Sequence, residues 1–329
     1  MILIVGIPSD GPTRLVIDAA EAAGVEHLVL NQRESHFVDL RVDLRRGAPV
    51  DGTLRLRHRD WPLSAFSGIF LRMMEWQELP ENRGTPSPDP DGIRRSGLLH
   101  DALIQWTEMM PCRVMNRCSA MGSNASKPYQ AQIIEQTGFL TPPTLITSDP
   151  ARVREFLQRY RHVVFKSISG ARSIVKTLSD VRLLHLDRVR MLPTQFQAFV
   201  PGTNIRVHVT GDEVFATEMR SAAIDYRYPA SDGEEVEMAA VTLPEEIETR
   251  CLDLSHRLDL PLAGVDLKVT REGEYYCFEV NPMPAYSYFQ EGSGQEIAGG
   301  IVRYLAGGDP AAGRPMPARQ RGEEDGRDC

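Results

Sequence analysis

The sequence predicts a protein of mixed α/β and α+β class in four parts: a parallel α/β domain over 1–115, a central α+β unit over 116–193, an antiparallel-sheet unit over 194–306 and a disordered tail over 307–329. Three observations carry this reading. The chain opens with two apolar runs, Ile2–Val5 and Val25–Leu30, separated by the helical periodicity of Thr13–Ala23, which is the pattern of a β-α-β unit. Its middle alternates short strand-like and helix-like segments around turn residues. Its last third holds two hairpin patterns, one turning at Gly211-Asp212 and one at Arg271-Glu272-Gly273-Glu274.

The elements follow in order. Gly6-Ile7-Pro8-Ser9-Asp10-Gly11 joins the first strand to the first helix, which stops at Gly24. The turn lacks GxGxxG, so it reads as a plain strand-to-helix connection and argues against a dinucleotide enzyme. Gly52–Arg59 reads as a strand or hairpin arm, and Ser67–Met73 as a core strand ending at Arg72. Glu81–Gly97 is rich in Pro and Gly and reads as a loop; Leu98–Met110 is a helix stopped by Pro111. A boundary falls near 111–122. Ser126–Gln136 is helical, with Pro128 in its first turn and Gly138 beyond its end. Ser148-Asp149-Pro150 caps a helix over Ala151–Tyr160. His162–Ile168 and Ile174–Leu178 flank the turn Ser169–Ser173. Thr194–Val200 is an apolar strand ended by Pro201-Gly202, and Ile205–Val209 pairs with Val214–Arg220. An amphipathic helix over Glu245–Leu258, the second hairpin and a last helix near Glu296–Leu305 complete the chain.

Composition bounds the function. At 329 residues there is room for two or three cores. A net charge of −8 argues against a general nucleic-acid binder. Five cysteines with no CxxC pair give no disulfide framework and suit a reducing compartment. The N-terminus has no signal-peptide pattern, and no run approaches the roughly 20 apolar residues of a membrane span. The expectation is a cytoplasmic protein, with no membrane or nucleic-acid partner and with a homodimer left open.

The chemistry gathers on the second hairpin. Gly264-Val265-Asp266-Leu267-Lys268 and Phe278-Glu279-Val280-Asn281-Pro282 would lie side by side, bringing Asp266 to Glu279. Residues i and i+2 share a strand face, so Glu279 and Asn281 point the same way. Three hard oxygen donors fit magnesium, but a solvated acidic face fits the spacing equally well. Phe278 and Val280 make the strand half buried, and buried carboxylates need a partner. Elsewhere, Lys127 opens a helix and reads by default as a solvated end. Lys166 lies within Val163-Val164-Phe165-Lys166, where it must reach solvent or pair. A phosphate would supply the countercharge, with Ser169, Gly170 and Arg172 closing over it. Gln197-Ala198-Phe199-Val200 ends in a Pro-Gly turn that could present backbone groups to a base edge. Arg206 and Arg220 sit on neighbouring strands that could line one cleft. His208 shares the strand face of Arg206 and reads as structural.

The order Lys127, Lys166, Gln197–Arg206, Asp266 and Glu279-Val280-Asn281-Pro282 resembles the ATP-grasp superfamily of the glutathione-synthetase/RimK type, over roughly residues 115–305. The resemblance implies a nucleotide held between two α+β subdomains. Lys127 and Lys166 would contact ATP phosphates, with Lys166 also near the adenine; Gln197, Ala198, Phe199 and Val200 would form the hinge; Asn204 would meet the ribose. Arg206 and Arg220 would stabilise the phosphate and an acyl-phosphate intermediate. Asp266, Glu279 and Asn281 would hold magnesium, two ions in the family pattern, with manganese as a substitute. The sequence departs from that pattern in carrying one glycine, Gly170, after Lys166, a neutral Asn204, and Ala198 at an often acidic hinge position.

A narrower likeness lies in Asn124–Gln130, Tyr286-Ser287-Tyr288-Phe289 and Gly294-Gln295-Glu296-Ile297, which are similar to the graspetide ligases. These implications define an ATP-dependent carboxylate–amine or carboxylate–hydroxyl ligase. Its substrate would carry a carboxylate: either a precursor peptide with a leader, docked on Ala151–Tyr160, or a small molecule as in RimK-type enzymes. A non-catalytic nucleotide-binding module is the reading of another class. Glu81–Gly97, Arg72, Asp225–Glu237 and Tyr286–Gln290 are the candidate specificity regions.

Overall fold

The structure, a computed structural model, describes residues 1–83, 89–167, 176–177, 186–220 and 237–307. The N-terminal part begins β1 (Ile2–Gly6), α1 (Gly11–Ala22), β2 (His27–Asn31). Asp10 caps α1 by accepting from the Thr13 amide, and Pro12 occupies the first turn. A meander follows: β3 (Val38–Asp43), β4 (Asp51–Leu56) and β5 (Arg59–Pro62) form their own three-stranded sheet. The sequence reading gave only one arm of it, because polar, charged strands at a surface carry little alternation.

Then come β6 (Gly68–Arg72), α2 (Pro90–Met109) and β7 (Arg113–Met115). The helix starts eight residues before the expected Leu98, so the expected Glu81–Gly97 loop is shorter. Asp89 caps it and Pro90 opens it. Its internal Gly97 is seated on the Trp76 indole, where an added Cβ would sit 3.2 Å from the ring. The parallel sheet runs β2-β1-β6-β7.

The middle of the chain supplies α3 (Lys127–Gln136), β8 (Thr144–Thr147), α4 (Pro150–Tyr160), β9 (Val163–Ser167), β10 (Lys176–Thr177) and β11 (Thr194–Ala198). The sheet order is β10-β9-β11-β8. One face buries Val163 and Phe196 with Val153 of α4. Alternation turns Lys166, Gln195 and Gln197 to the other face.

A five-stranded antiparallel sheet, β14-β13-β12-β15-β16, is built from β12 (Thr203–Thr210), β13 (Glu213–Arg220), β14 (Glu237–Val241), β15 (Leu262–Val269) and β16 (Tyr275–Asn281). Three helices serve it: α5 (Glu245–Arg257), α6 (Ser287–Ser293) and α7 (Ile297–Ala306). Ile205, Val207, Val265 and Val280 pack on one face beneath Ile247, Cys251 and Leu254 of α5. Helix α6 was not expected as an element. Its seven residues are held by the burial of Tyr286 and Phe289 rather than by their own periodicity.

Helix α7 joins the two ends of the chain. Ile297, Ile301, Val302 and Leu305 share one apolar core with Ile2, Ile4, Phe70 and Met115 of the parallel sheet. Buried Asn116 fastens the same junction. Its amide nitrogen donates to the Leu262 and Pro282 carbonyls at 2.6 and 2.5 Å, and its oxygen accepts from the Leu262 amide at 3.0 Å. The hairpin that carries Asp266 and Glu279 is thereby tied to the end of β7.

Candidate active site

Register builds the site. Arg206 pairs with Asp266, and Asp266 pairs with Glu279, so three side chains form one row across β12, β15 and β16. Asn281 pairs with Gly264, one step along the same face. The hairpin is not a plain ladder. Asp266 opposes Glu279 but Leu267 opposes Cys277, so Phe278 is an extra residue in a β-bulge. The bulge lets both Cys277 and Val280 enter the α5 core despite their odd separation. It turns Phe278 to a narrow cleft shared with Lys127, Gln195 and Gln197. Phe278 is therefore not a core partner of Val280.

Each acid in the row has a cation. Arg206 is buried and its Nη1 lies 2.5 Å from Asp266 Oδ1. Gly264 makes room for that guanidinium: an added Cβ would lie 2.1 Å from Arg206 Nη2 and 2.6 Å from Cζ. Lys127 Nζ lies 2.9 Å from Glu279 Oε2, and Lys166 Nζ lies 3.8 Å from the same oxygen. The two lysines arrive from different elements. Lys166 projects from the polar face of the central sheet. Lys127 stands at the start of α3, which is docked on β16 by Gln130. That amide donates to the Val280 carbonyl and accepts from the Val280 amide, both at 2.8 Å. The Lys127 solvated-end default thus gives way to a half-enclosed ion pair.

The remaining expected residues divide. Gln197 is buried and donates to Thr144 Oγ1 at 3.0 Å. The Ala198 amide donates to the Pro143 carbonyl and the Phe199 amide to the His162 carbonyl, so any backbone contact from Ala198 to a ligand falls to its carbonyl. Val200 is buried and Phe199 half exposed at the strand end. Asn204 pairs with Lys268 in register, next to the row. Asn281 Oδ1 accepts from the Met283 amide at 2.9 Å, which shapes the turn after β16 and leaves its second lone pair available. Arg220 is not brought to this cluster. Its position alternates to the face opposite Arg206, its side chain is exposed, and it pairs with Glu218 at 2.6 Å. Ser169, Gly170 and Arg172 lie outside the described residues, as does most of Asp225–Glu237.

Two residues were missed by the sequence reading. Lys268 lies two positions from Asp266 and so on the same face. Its ammonium sits over the Phe199 and Phe278 rings at 5.2 and 5.8 Å, and burial lowers its pKa. Strand alternation alone could have found it. Gln195 pairs with Lys166 in register, is buried, and also faces the cleft. His208 is wholly buried against Phe289 and Tyr286; burial and the Arg206 charge push its pKa well down, so it packs as a neutral ring.

Four cations thus surround two carboxylates, with an amide oxygen beside them. Such a face suits a polyanion. Among the described residues no three His, Cys, Asp or Glu side chains cluster for a metal; the candidate set instead has two carboxylates and one amide. Hard oxygen donors of this kind, with positive side chains around them, match a magnesium ion that completes its shell from phosphate and water.

Comparison with known proteins gives the family. A probable alpha-L-glutamate ligase of Rhodopirellula baltica is 23% identical over 304 residues, spanning 89% of this chain and 67% of that one. One from Vibrio cholerae is 26% identical over 215 residues, 62% of this chain and 70% of that one. Among solved structures, a RiPP-associated ATP-grasp ligase of Chryseobacterium gregarium, in complex with ADP and a leader and core peptide, superposes with a TM-score of 0.74 at 22% identity, covering 92% and 96% of the two chains. The macrocyclase MdnC of Microcystis aeruginosa, bound with precursor peptide MdnA, gives 0.72 at 21% identity, covering 93% and 99%. No helix among the described residues is long and apolar enough to cross a membrane. The family model described as a RimK-like ATP-grasp domain matches residues 125–305, which include every residue of the cation–carboxylate cluster, and the chain belongs to that family.

Proposed function

We propose that this ATP-grasp ligase activates a side-chain carboxylate of a peptide and joins it to an amine or hydroxyl of the same peptide. The observation that carries the ligase chemistry is the Arg206–Asp266–Glu279 row with Lys127 and Lys166 across the cleft. The peptide branch is favoured by the closeness of the superposition: the peptide-bound ligases give TM-scores of 0.74 and 0.72, against 0.54 for a D-cycloserine synthetase over a similar share of this chain. Cytoplasmic placement and a homodimer belong to the same reading.

A carboxylate is a poor electrophile at neutral pH. Its oxygen attacks the γ-phosphorus of ATP, the bond to the β–γ bridging oxygen breaks, and ADP leaves. The resulting acyl phosphate is then attacked by the amine or hydroxyl, a proton is lost from the nucleophile, and phosphate departs. Both steps need positioning and charge neutralisation more than a protein nucleophile. Lys127 and Lys166 would hold the phosphates, and buried Arg206 would offset charge that develops on the transferring group. Gln197 and the Ala198 carbonyl would face the base, and Asn204 the ribose. Asp266, Glu279 and Asn281 would hold magnesium, with two ions as the fuller count. When bound, magnesium screens phosphate oxygens from one another and from the incoming carboxylate. Arg220 has no part assigned by this geometry.

The test is ADP release with magnesium and ATP against two acceptor pools: free amino acids, glutamate included, and a candidate peptide encoded beside the gene. ADP only with the peptide supports the proposal. ADP only with free amino acids selects the RimK-type small-molecule reading. Nucleotide binding without ADP release in either pool selects the non-catalytic one.

A further inference from the structure

We propose that Asp10 and Arg72 form the acceptor subsite, which holds the attacking hydroxyl or amine of the substrate and takes it uncharged. This inference rests on the ligase reading above and deepens it. The parallel sheet runs β2-β1-β6-β7, so the chain leaves β1 toward one side for β2 and toward the other for β6. The order reverses between β1 and β6. In open α/β sheets, the crevice at the carboxyl ends of such a strand pair is where ligands bind. Gly6 and Arg72 end these two strands as register partners. Asp10 stands just beyond them at the start of α1, and Arg72 Nε donates to its Oδ2 at 2.8 Å.

The crevice opens toward the cation–carboxylate row. Arg72 Nη1 donates to the Pro284 carbonyl at 3.1 Å, and Pro284 lies just past Asn281. On its other side Pro284 approaches Arg206: a Cβ added at Gly264 would touch both the Pro284 ring and the Arg206 guanidinium. The Tyr286 hydroxyl donates to the Pro12 carbonyl at 2.5 Å, so the start of α1 and the start of α6 close the same corner. Two regions singled out in the sequence, Arg72 and Tyr286–Gln290, thus meet one proline away from the arginine proposed to face the transferring group.

The atoms left over define the ligand. Asp10 Oδ2 accepts from Arg72 and from both the amide and the hydroxyl of Thr13, while Oδ1 has no partner among the described residues. Arg72 commits Nε and Nη1, and its Nη2 has no acceptor among the described residues. The guanidinium is 15% and the carboxylate 38% exposed, so both are held in place yet open to a ligand. A nucleophile gives its O–H or N–H to Oδ1 and keeps its lone pair for the acyl carbon. Arg72 Nη2 is left to donate to a carbonyl of the same residue. Arg72 already matches the Asp10 charge, with Arg206 beyond Pro284, so an ammonium is disfavoured there. A hydroxyl or a neutral amine, the forms able to attack, carries no such penalty.

The experiment counts where each activated carboxylate goes. The substrate is whichever pool releases ADP in the test above, the peptide encoded beside the gene or free amino acids. Hydroxylamine is added; it attacks the carbonyl carbon of an idle acyl phosphate, displaces phosphate and leaves a hydroxamate. Links, read by mass spectrometry as the loss of one water each, and hydroxamate are both divided by ADP released. Wild type is expected to make mostly links. Asp10→Asn can still cap α1 but turns an amide N–H outward in place of Oδ1. It is expected to give about tenfold fewer links per ADP, with hydroxamate in their place. Arg72→Lys cannot hold Asp10 and Pro284 together and is expected to move the ratio the same way. Thermal unfolding checks that each variant is folded. Links per ADP unchanged in either folded variant overturn the inference and leave the ligase reading standing, even where total turnover falls, because a merely structural role lowers both products together. If wild type releases ADP with neither pool, the ligase reading falls and this inference with it.

Discussion

Lys127 Nζ and Glu279 Oε2 are 2.9 Å apart, and Lys166 shares that same oxygen at 3.8 Å. The proposed phosphate ligands and a proposed metal ligand therefore neutralise one another. Nucleotide alone must draw the lysines off Glu279, and metal alone must displace them; together each releases the partner the other needs. Glu279→Gln should consequently bind ADP more tightly than wild type in EDTA, by roughly fivefold for about 1 kcal/mol of released pairing. It should also lose the gain that magnesium gives wild type and nearly all ligase turnover. Titration of ADP with and without magnesium checks this, and weaker binding of the variant in EDTA would refute it.

Gly264 is required by Arg206, not by backbone conformation. In Gly264→Ala the new methyl meets the guanidinium at 2.1 Å, so Arg206 must leave Asp266. The expected outcome is a loss of turnover of at least a hundredfold with about 1–3 kcal/mol of destabilisation from overpacking. Steady-state kinetics and urea unfolding separate the two effects.

Asn116→Ala should be the most damaging single change outside the cluster. It strips partners from the Leu262 amide and from the Leu262 and Pro282 carbonyls, all buried. At about 1–3 kcal/mol for each of three orphaned groups, a loss of roughly 3 kcal/mol or more is expected. A urea midpoint that barely moves would show that water replaces the amide.

Alkaline pH should loosen the fold through its buried thiols. Burial raises Cys112 to about 11 and Cys251 to about 12 from an ordinary value of 9.0. A thiol with a raised folded-state pKa keeps its proton longer in the folded chain than in the unfolded one. Its stabilising contribution is therefore intact below pH 9 and is lost as pH rises from 9 toward those values. At pH 10 the loss is on the order of 1 kcal/mol for each thiol. Urea unfolding at pH 8 and 10 measures it, and the double variant Cys112→Ala, Cys251→Ala should show a flatter pH dependence.

What the sequence made legible was the periodic part of the site. Alternation along strands and a short turn put Asp266 beside Glu279, and the same rule would have delivered Lys268 had it been applied one step further. Arg220 shows the limit of adjacency: it sits on a strand next to Arg206 but at the opposite parity, so neighbouring strands did not mean one face. The bulge at Phe278 was not legible, because it depends on Cys277 and Val280 both being claimed by the α5 core. The roles of Gln130 and Asn116 were hidden for a common reason. A buried amide takes its meaning from partners in distant segments, and no local pattern records them. The meander over residues 38–62 and the early start of α2 were hidden by polar composition and by glycines that packing, here Trp76, accounts for.

The amide of Gln130 has a further consequence. β16 is the last strand of its sheet, yet the outward-facing Val280 groups are both taken by Gln130, and Leu140 exchanges backbone hydrogen bonds with Tyr275 and Cys277. An extended chain arriving at that margin finds those docking positions already filled. A peptide substrate then cannot lengthen the sheet alongside Glu279. The proposed peptide would instead come in over the polar face that carries the cation–carboxylate row. Sequence preference in such a substrate would come from side-chain pockets and spacing, with little help from backbone pairing at this edge.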